Sequence, residues 1–323
     1  MDLEIRKFSA YHGKNWRNRN SSHQEEVLSR QVWKNSIGYN SEYLPLKEVV
    51  LFEPDTHYPE VTNPEDWQFL RHVNRDQLRL EFTSLKQTYE SLGIKVQVLK
   101  DHHFPHPSPN LVFCRDLFFL TPFGAIVGRM GSVVRAGEEK WAQLALAQQG
   151  VPILMSITGN GLFEGADALW LDSQTVLVGI GNRTNEEACL QIQTCLQRFG
   201  IQCIKVTLPK SVQHLLGLLQ ITSRGTALVR KDQAPQMLID TLKSRSYDVL
   251  LLEDSEEIVW RQAFNFVCYQ PNHIVMAKNC PETRKKLEQS GLIVAAEVEI
   301  SQYINAAGGI ACATGILSRE LRF

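Results

Sequence analysis

Hydrophobic and polar positions along the chain repeat one programme five times: an extended apolar run, a turn, a second apolar run, an amphipathic helix and a closing strand. The closing strands read GIKVQVL from Gly93, GVPILM from Gly150, GIQCIKV from Gly200, YDVLLLE from Tyr247 and GLIVAAEV from Gly291. Four of them open on a glycine directly after a helical pattern, where a helix C-cap takes its left-handed turn. The helices DQLRLEFTSLKQTYESLG, GEEKWAQLALAQQG, NEEACLQIQTCLQRFG, APQMLIDTLKSR and ETRKKLEQSG carry apolar residues at i, i+3, i+4 and i+7. Thr184 and Glu187 predict a capping box at the start of the third. Unit one begins at LKEVVLFEP. In units two to five the paired runs LVFCRDLFFL and AIVGRM, ALWLDSQTVLVGIG, LLQITSRGTALVR, and FNFVCYQPNHIVMAK read as hairpins turning at TPFG, LDSQT, TSRG and QPNH. A period of about 45 to 55 residues predicts one closed, pseudo-symmetric α/β array whose loops converge at its centre.

Residues 1–45 stand outside the repeat. They read as a polar N-terminal extension with a short helix near 23–35, leaving 46–323 as a single domain. Residues 104–109 form a proline-broken connector, and 301–323 a Gly-rich, then basic, segment after the last repeat. The apolar fraction of 43% across 323 residues supplies one large core, so the repeat overrides the two-domain expectation from length. A net charge of −1 provides no global basic field, so neither nucleic acid nor an anionic membrane is expected as a partner. No apolar run approaches a membrane span, and the first 20 residues lack the core of a secretory signal. Seven cysteines without paired spacing point to free thiols in a reducing compartment, hence a cytoplasmic protein.

Two familiar motifs fail. VLVGIGNRTNEE has a strand, Gly179, Gly181 and a helix in order, but Thr184 holds the third glycine position and no acid ends the next strand. His102, His103 and His106 are separated by Pro105, and Pro107 follows, which forbids the helix that would align them on a metal. No metal and no organic cofactor is expected. Three features resist dismissal. Arg115 and Asp116, with Asn110 just upstream, interrupt an apolar strand, and a charged pair there needs partners. Glu164 and Asp167 enter another apolar strand in FEGADALWL. Cys312 follows a double glycine in AAGGIACATG, where the backbone can be held in close approach. Each lies at a strand end or loop of a different unit.

With these residues in view, the chain from about 46 to 320 resembles the guanidine-modifying superfamily of arginine deiminases, dimethylarginine dimethylaminohydrolases and amidinotransferases, the penteins. PNLVFCRD is similar to the family's Asn-plus-Arg-Asp strand. FEGADALWL is similar to its Glu-Gly-Gly-Asp motif with Ala166 in place of the second glycine, and VGIGNRTN to its Gly-x-x-x-Arg-Thr signature. VQHLLG carries a His214 between units three and four, and GGIACATG the terminal cysteine. The resemblance implies a five-bladed α/β propeller of ββαβ units with a central active site. It also implies a cysteine-dependent hydrolase that cleaves the C–N bonds of arginine or an ω-N-substituted arginine, or an amidinotransferase that passes the amidino group to an acceptor amine. A non-catalytic guanidine-binding propeller is the third reading, disfavoured by the full set of reactive residues.

The residue types suit this chemistry. Carboxylates match the N–H fork of a guanidinium, which assigns Asp116 and Glu164 to its recognition. The guanidinium carbon is a poor electrophile toward water, so a thiolate from Cys312 supplies the attack. His214 protonates the departing amine and then activates water. By resemblance, Arg183 with Asn110 binds a substrate carboxylate, Arg135 is a second substrate arginine on a mobile loop, and Asp167 joins the substrate-binding set. The partner expected is a small guanidino molecule; homo-oligomerisation is left open. Three departures limit the match to arginine deiminases: Leu216 replaces their aspartate two residues after the histidine, Ala306 and Ala307 lie where they carry an arginine, and Ala311 sits where relatives place His or Arg.

Overall fold

A computed structural model describes residues 4–33, 37–54, 58–100 and 108–322. His102, His103, His106 and most of the proline-broken connector lie outside the described residues. The chain divides into two compact units, residues 1–35 and 36–323. In the smaller, helix His23–Ser29 opens at a capping box between Ser22 and Glu25. It ends well before residue 35 because Arg30 turns left-handed at φ 57°. The larger unit starts before the repeat does: Gly38 bridges Ser318, and Tyr39, Ser41 and Glu42 are buried.

Five three-stranded sheets make up the larger unit. The first uses β1 (Leu46–Phe52) and β2 (Lys95–Leu99), the second β3 (Phe118–Thr121), β4 (Gly124–Val127) and β5 (Ile153–Ser156). The third holds β6 (Ala168–Asp172), β7 (Thr175–Ile180) and β8 (Gln202–Thr207), the fourth β9 (Leu219–Ser223), β10 (Thr226–Arg230) and β11 (Asp248–Leu252). The fifth holds β12 (Val267–Gln270), β13 (His273–Ala277) and β14 (Ile293–Val298). In each blade the middle strand pairs antiparallel with its leading strand and parallel with its closing strand. The parallel pair requires a crossover, and the predicted helices supply it at Arg75–Ser91, Glu139–Gln148, Glu186–Gln197, Gln236–Ser244 and Pro281–Gln289. Gly93, Gly150, Gly200 and Gly291 all turn left-handed after their helices; in the fourth blade Ser246 takes that conformation at φ 62°.

The first blade departs from the local programme. Its leading strand is β15 (Gly315–Arg319), which runs antiparallel to β1 from Leu46 opposite Arg319 to Val50 opposite Gly315. The segment expected to trail after the last repeat therefore closes the ring. The leading strands begin at residues 118, 168, 219, 267 and 315, and β9 touches β12 while β3 touches β15. They form the inner layer. Short helical turns at Cys114–Asp116, Gly165–Asp167, Leu215–Gly217 and Ile310–Ala313 precede four of them, and the first three are packed in series, with Ile310–Ala313 against the first. Thus Asp116 lies in a turn, not in the strand that its apolar surroundings predicted. Likewise Cys312 lies in a helical turn, not in a loop. The chain has the five-bladed ββαβ propeller architecture.

Candidate active site

The turns before the leading strands carry the reactive side chains. Asp116 ends the turn of the second blade, Glu164 precedes that of the third, His214 precedes that of the fourth and Cys312 sits inside that of the first. Because the repeat brings equivalent positions to one place, residues nearly 200 apart in sequence meet. A cavity of about 330 Å³ is lined by Asn110, Asp116, Arg135, Arg183, His214 and Cys312. A wider opening of about 880 Å³ also reaches His214 and Cys312 and adds Asn265 and Leu216.

Asp116, Glu164 and Arg135 are almost completely buried. His214 Nε2 lies 2.7 Å from Glu164 Oε2 and 3.9 Å from Asp116 Oδ1. Burial works against a charged imidazole, but Asp116, the bond to Glu164 and Asp167 outweigh it and raise His214 to about 9. The imidazolium therefore donates to Glu164 at neutral pH. Glu164 in turn is held well below the usual carboxylate range: burial opposes its ionisation, but Arg135, His214 and Arg183 prevail. Its Oε1 also accepts the Gly131 N–H at 3.0 Å.

Cys312 has different surroundings. Burial pushes its thiol up to about 11, and the negative charge of Asp116 adds to that. Asn265 counteracts by donating its amide N–H to Sγ at 3.0 Å, while its Oδ1 accepts the N–H groups of Ala311 and Cys312 at 2.8 and 3.2 Å. Gly309 makes this contact feasible, because a Cβ there would come within 2.8 Å of the Asn265 side chain. Asn265 escapes a search for charged or nucleophilic residues. The signal that locates it is the repeat: it lies two residues before its leading strand, as Asp116 does.

Three expected substrate contacts differ from the sequence reading. Asp167 is not on the cavity: Thr184 Oγ1 donates to it at 2.6 Å, Leu215 N–H donates at 2.9 Å, and it is fully buried. It ties the third and fourth turns together, and burial pushes its carboxyl up to about 6. Thr184, spent on that bond, does not cap its helix; Asn185 does, accepting from the Ala188 N–H. Arg135 reaches the cavity but its guanidinium is taken by protein carboxylates. It donates to Asp116 at 2.6 Å, to Glu138 at 2.7 and 3.0 Å, and to Glu164 at 3.4 Å. Asn110 reaches the cavity and spends its amide N–H on the Trp67 carbonyl at 3.1 Å. Arg183 is 3.4 Å from Glu164 Oε1 and keeps donors facing the cavity.

Asp116, Glu164 and His214 also offer ligand atoms within 4.8 Å of one another, the spacing of a metal site. A protonated Nε2 has no lone pair to give, and Arg135 adds positive charge between the two acids. The set suits a hydrogen-bonding organic cation better than a metal ion.

The fold has counterparts among known proteins. The arginine deiminase family model matches residues 84–215, from the helix of the first blade to the turn opening the fourth. An uncharacterised protein of Bacillus subtilis, YkgA, is 24% identical over 285 residues, 86% of this chain and 94% of that one. An arginine deiminase of Listeria monocytogenes is 21% identical over 267 residues, 69% of this chain; the match spans 65% of that enzyme's length. Among solved structures, dimethylarginine dimethylaminohydrolase from Pseudomonas aeruginosa, complexed with citrulline, is similar with a TM-score of 0.68 at 20% identity, covering 85% of this chain and all of that one. An amidinotransferase of saxitoxin biosynthesis from Microseira wollei is similar with a TM-score of 0.73 at 16% identity, covering 88% and 98%. Among the described residues, no helix is long and apolar enough to cross a membrane. The chain therefore shares the propeller fold of these guanidine-modifying enzymes and matches the arginine deiminase family across its second and third blades.

Proposed function

We propose that this protein is a cysteine-dependent hydrolase acting on the guanidinium of arginine or an ω-N-substituted arginine. One observation carries the reading: Asp116 Oδ1 is buried without a hydrogen-bond partner, on the cavity that also presents Cys312 and His214. An orphaned carboxylate oxygen beside a thiol calls for a ligand with N–H donors and a positive charge. A planar guanidinium meets both needs and offers its carbon to sulfur.

Cys312 Sγ attacks that carbon as the thiolate. The substrate cation offsets the influence of Asp116 and so lowers the thiol's pKa on binding. His214 gives its proton to the departing nitrogen, which leaves as an amine or ammonia. An S-linked amidino enzyme remains. The neutral imidazole then takes a proton from water, whose oxygen adds to the carbon and expels the thiolate, yielding citrulline. Arg183 supplies donors for the substrate's carboxylate. Leu216, on the wider opening, presents an apolar surface suited to alkyl groups on the departing nitrogen.

A second reading rests on that wider opening, which leaves room beside Cys312 and His214 for an acceptor amine in place of water. The two are separated by incubating the protein with arginine or dimethylarginine, with and without ornithine or glycine. Citrulline without an acceptor supports hydrolysis. Ornithine released from arginine only when glycine is present supports amidino transfer. Absence of both products, with no S-linked adduct by mass spectrometry, rejects the covalent reading.

A further inference from the structure

Arg115 interrupts an apolar run, and the proposed reaction makes no use of it. Its guanidinium points to a second void on the propeller axis, lined by Glu42, Arg115 and Arg319 and by leading-strand residues including Leu169, Ile221 and Ile316. That void shares no lining residue with the cavity holding Asp116. Arg115 and Arg319 are 3% and 4% exposed. Arg115 Nη2 donates to Glu42 Oε2 at 3.1 Å, and Glu42 Oε1 accepts the Trp170 N–H at 3.0 Å. Arg319 Nη1 donates to the Leu44 carbonyl at 2.8 Å. The Nε–H of Arg115 and that of Arg319 each have no partner.

The charges do not balance. Two guanidiniums face one carboxylate across the void; Asp116, next to Arg115 in sequence, lines the other cavity and pairs with Arg135, and Tyr39 and Cys268 are neutral. Burial raises the Tyr39 phenol far above neutral pH and the Cys268 thiol to about 12. Burial and the neighbouring guanidinium of Arg115 also pull Arg319 below its usual range. An uncompensated buried cation with orphaned donors is a costly arrangement, and it is relieved most directly by a bound negative charge.

We propose that this axial void binds one small monovalent inorganic anion of the chloride class, held by the Nε–H groups of Arg115 and Arg319. Two free Nε–H donors set among Leu169, Ile221 and Ile316 suit a single-atom anion, whereas a phosphate or carboxylate would leave oxygens unpaired against apolar walls. The position gives the anion a structural role. Arg115 adjoins Asp116, and Ala311 on the void's wall adjoins Cys312, so the anion sits behind two of the turns that carry the reactive groups.

The test is thermal unfolding of the full chain as potassium chloride replaces potassium gluconate at constant ionic strength, which cancels surface screening. The melting temperature is expected to rise saturably, by about 3 °C. In Arg319→Met the chloride dependence is expected to disappear while turnover stays within about twofold. A crystal grown in bromide is expected to give one anomalous peak between the two Nε atoms. The bromide experiment uses the unaltered protein, so it stands even if Arg319→Met does not fold. A water there with no anomalous signal, or an equal chloride response in the variant, would overturn the proposal.

Discussion

Two voids on one axis are built from the same turns, yet they carry opposite charge logic. Neighbouring residues alternate between them: Asp116, Asn265 and Cys312 face the reactive side, and Arg115, Phe266 and Ala311 face the other. On the reactive side Asp116, Glu138 and Glu164 are matched by Arg135, Arg183 and the His214 imidazolium, and one oxygen of Asp116 is left free. On the other side the arginines outnumber the carboxylate. The lesson is that a one-residue step in a tight turn separates two sites, so a charged dipeptide inside an apolar run need not be an ion pair. Arg115 pairs with Glu42 and Asp116 with Arg135.

Replacing one group on each side sharpens the contrast. Cys312→Ser is expected to lower turnover by about four orders of magnitude or more, with the melting temperature almost unchanged; steady-state assay beside thermal unfolding checks both. On the opposite face, Arg115→Met is expected to cost about 2 kcal/mol, because it removes the charged donor to buried Glu42 Oε2. Glu42→Gln combined with Arg115→Met restores part of that, since the amide still accepts the Trp170 N–H. Chemical denaturation of the single and double variants reads the coupling, and simple additivity would mean that the pair does not interact.

The pH dependence of stability tests the reactive side alone. His214 is raised from 6.5 to about 9 in the folded state. Its contribution is therefore fully present below pH 6.5 and is lost as pH rises through about 9. The Asp167 carboxyl, at about 6, titrates mostly below that window. Unfolding free energy should fall between pH 6.5 and 9, and Glu164→Gln should flatten the fall by removing a partner of the imidazolium. A smaller effect belongs to Asn265→Ala, which leaves the Cys312 N–H unpaired while the Ala311 N–H keeps the residue-265 main-chain carbonyl, and costs about 1 kcal/mol. The same change removes the donor to Sγ, so alkylation of Cys312 by iodoacetamide should need higher pH than in the parent protein.

Much of the fold is legible because repetition is a local property. Helices, hairpins and C-cap glycines follow from periodicity within each unit. The exceptions have non-local causes. Strand β15 is a five-residue stretch with no neighbour of its own; only pairing with β1, at the other end of the chain, makes it a strand. Thr184 resembles a cap, but buried Asp167 competes for its hydroxyl and wins, because an unpaired buried carboxylate is the costlier loss. Asn265 is an ordinary polar residue until the fold sets it against Cys312, 47 positions away.

The amino-acid sequence by itself determined the five units, their strands and helices, and the acids, histidine and cysteine that interrupt apolar runs. Tertiary structure alone decided which charges face each other: that Arg135 rests on Asp116, Glu138 and Glu164, that Asp167 binds turns instead of facing the cavity, and that Arg115 turns to the opposite void. The reason is physical. Hydrophobic period is written within a dozen residues, whereas the energy of a buried charge depends on distances between segments that only ring closure brings together.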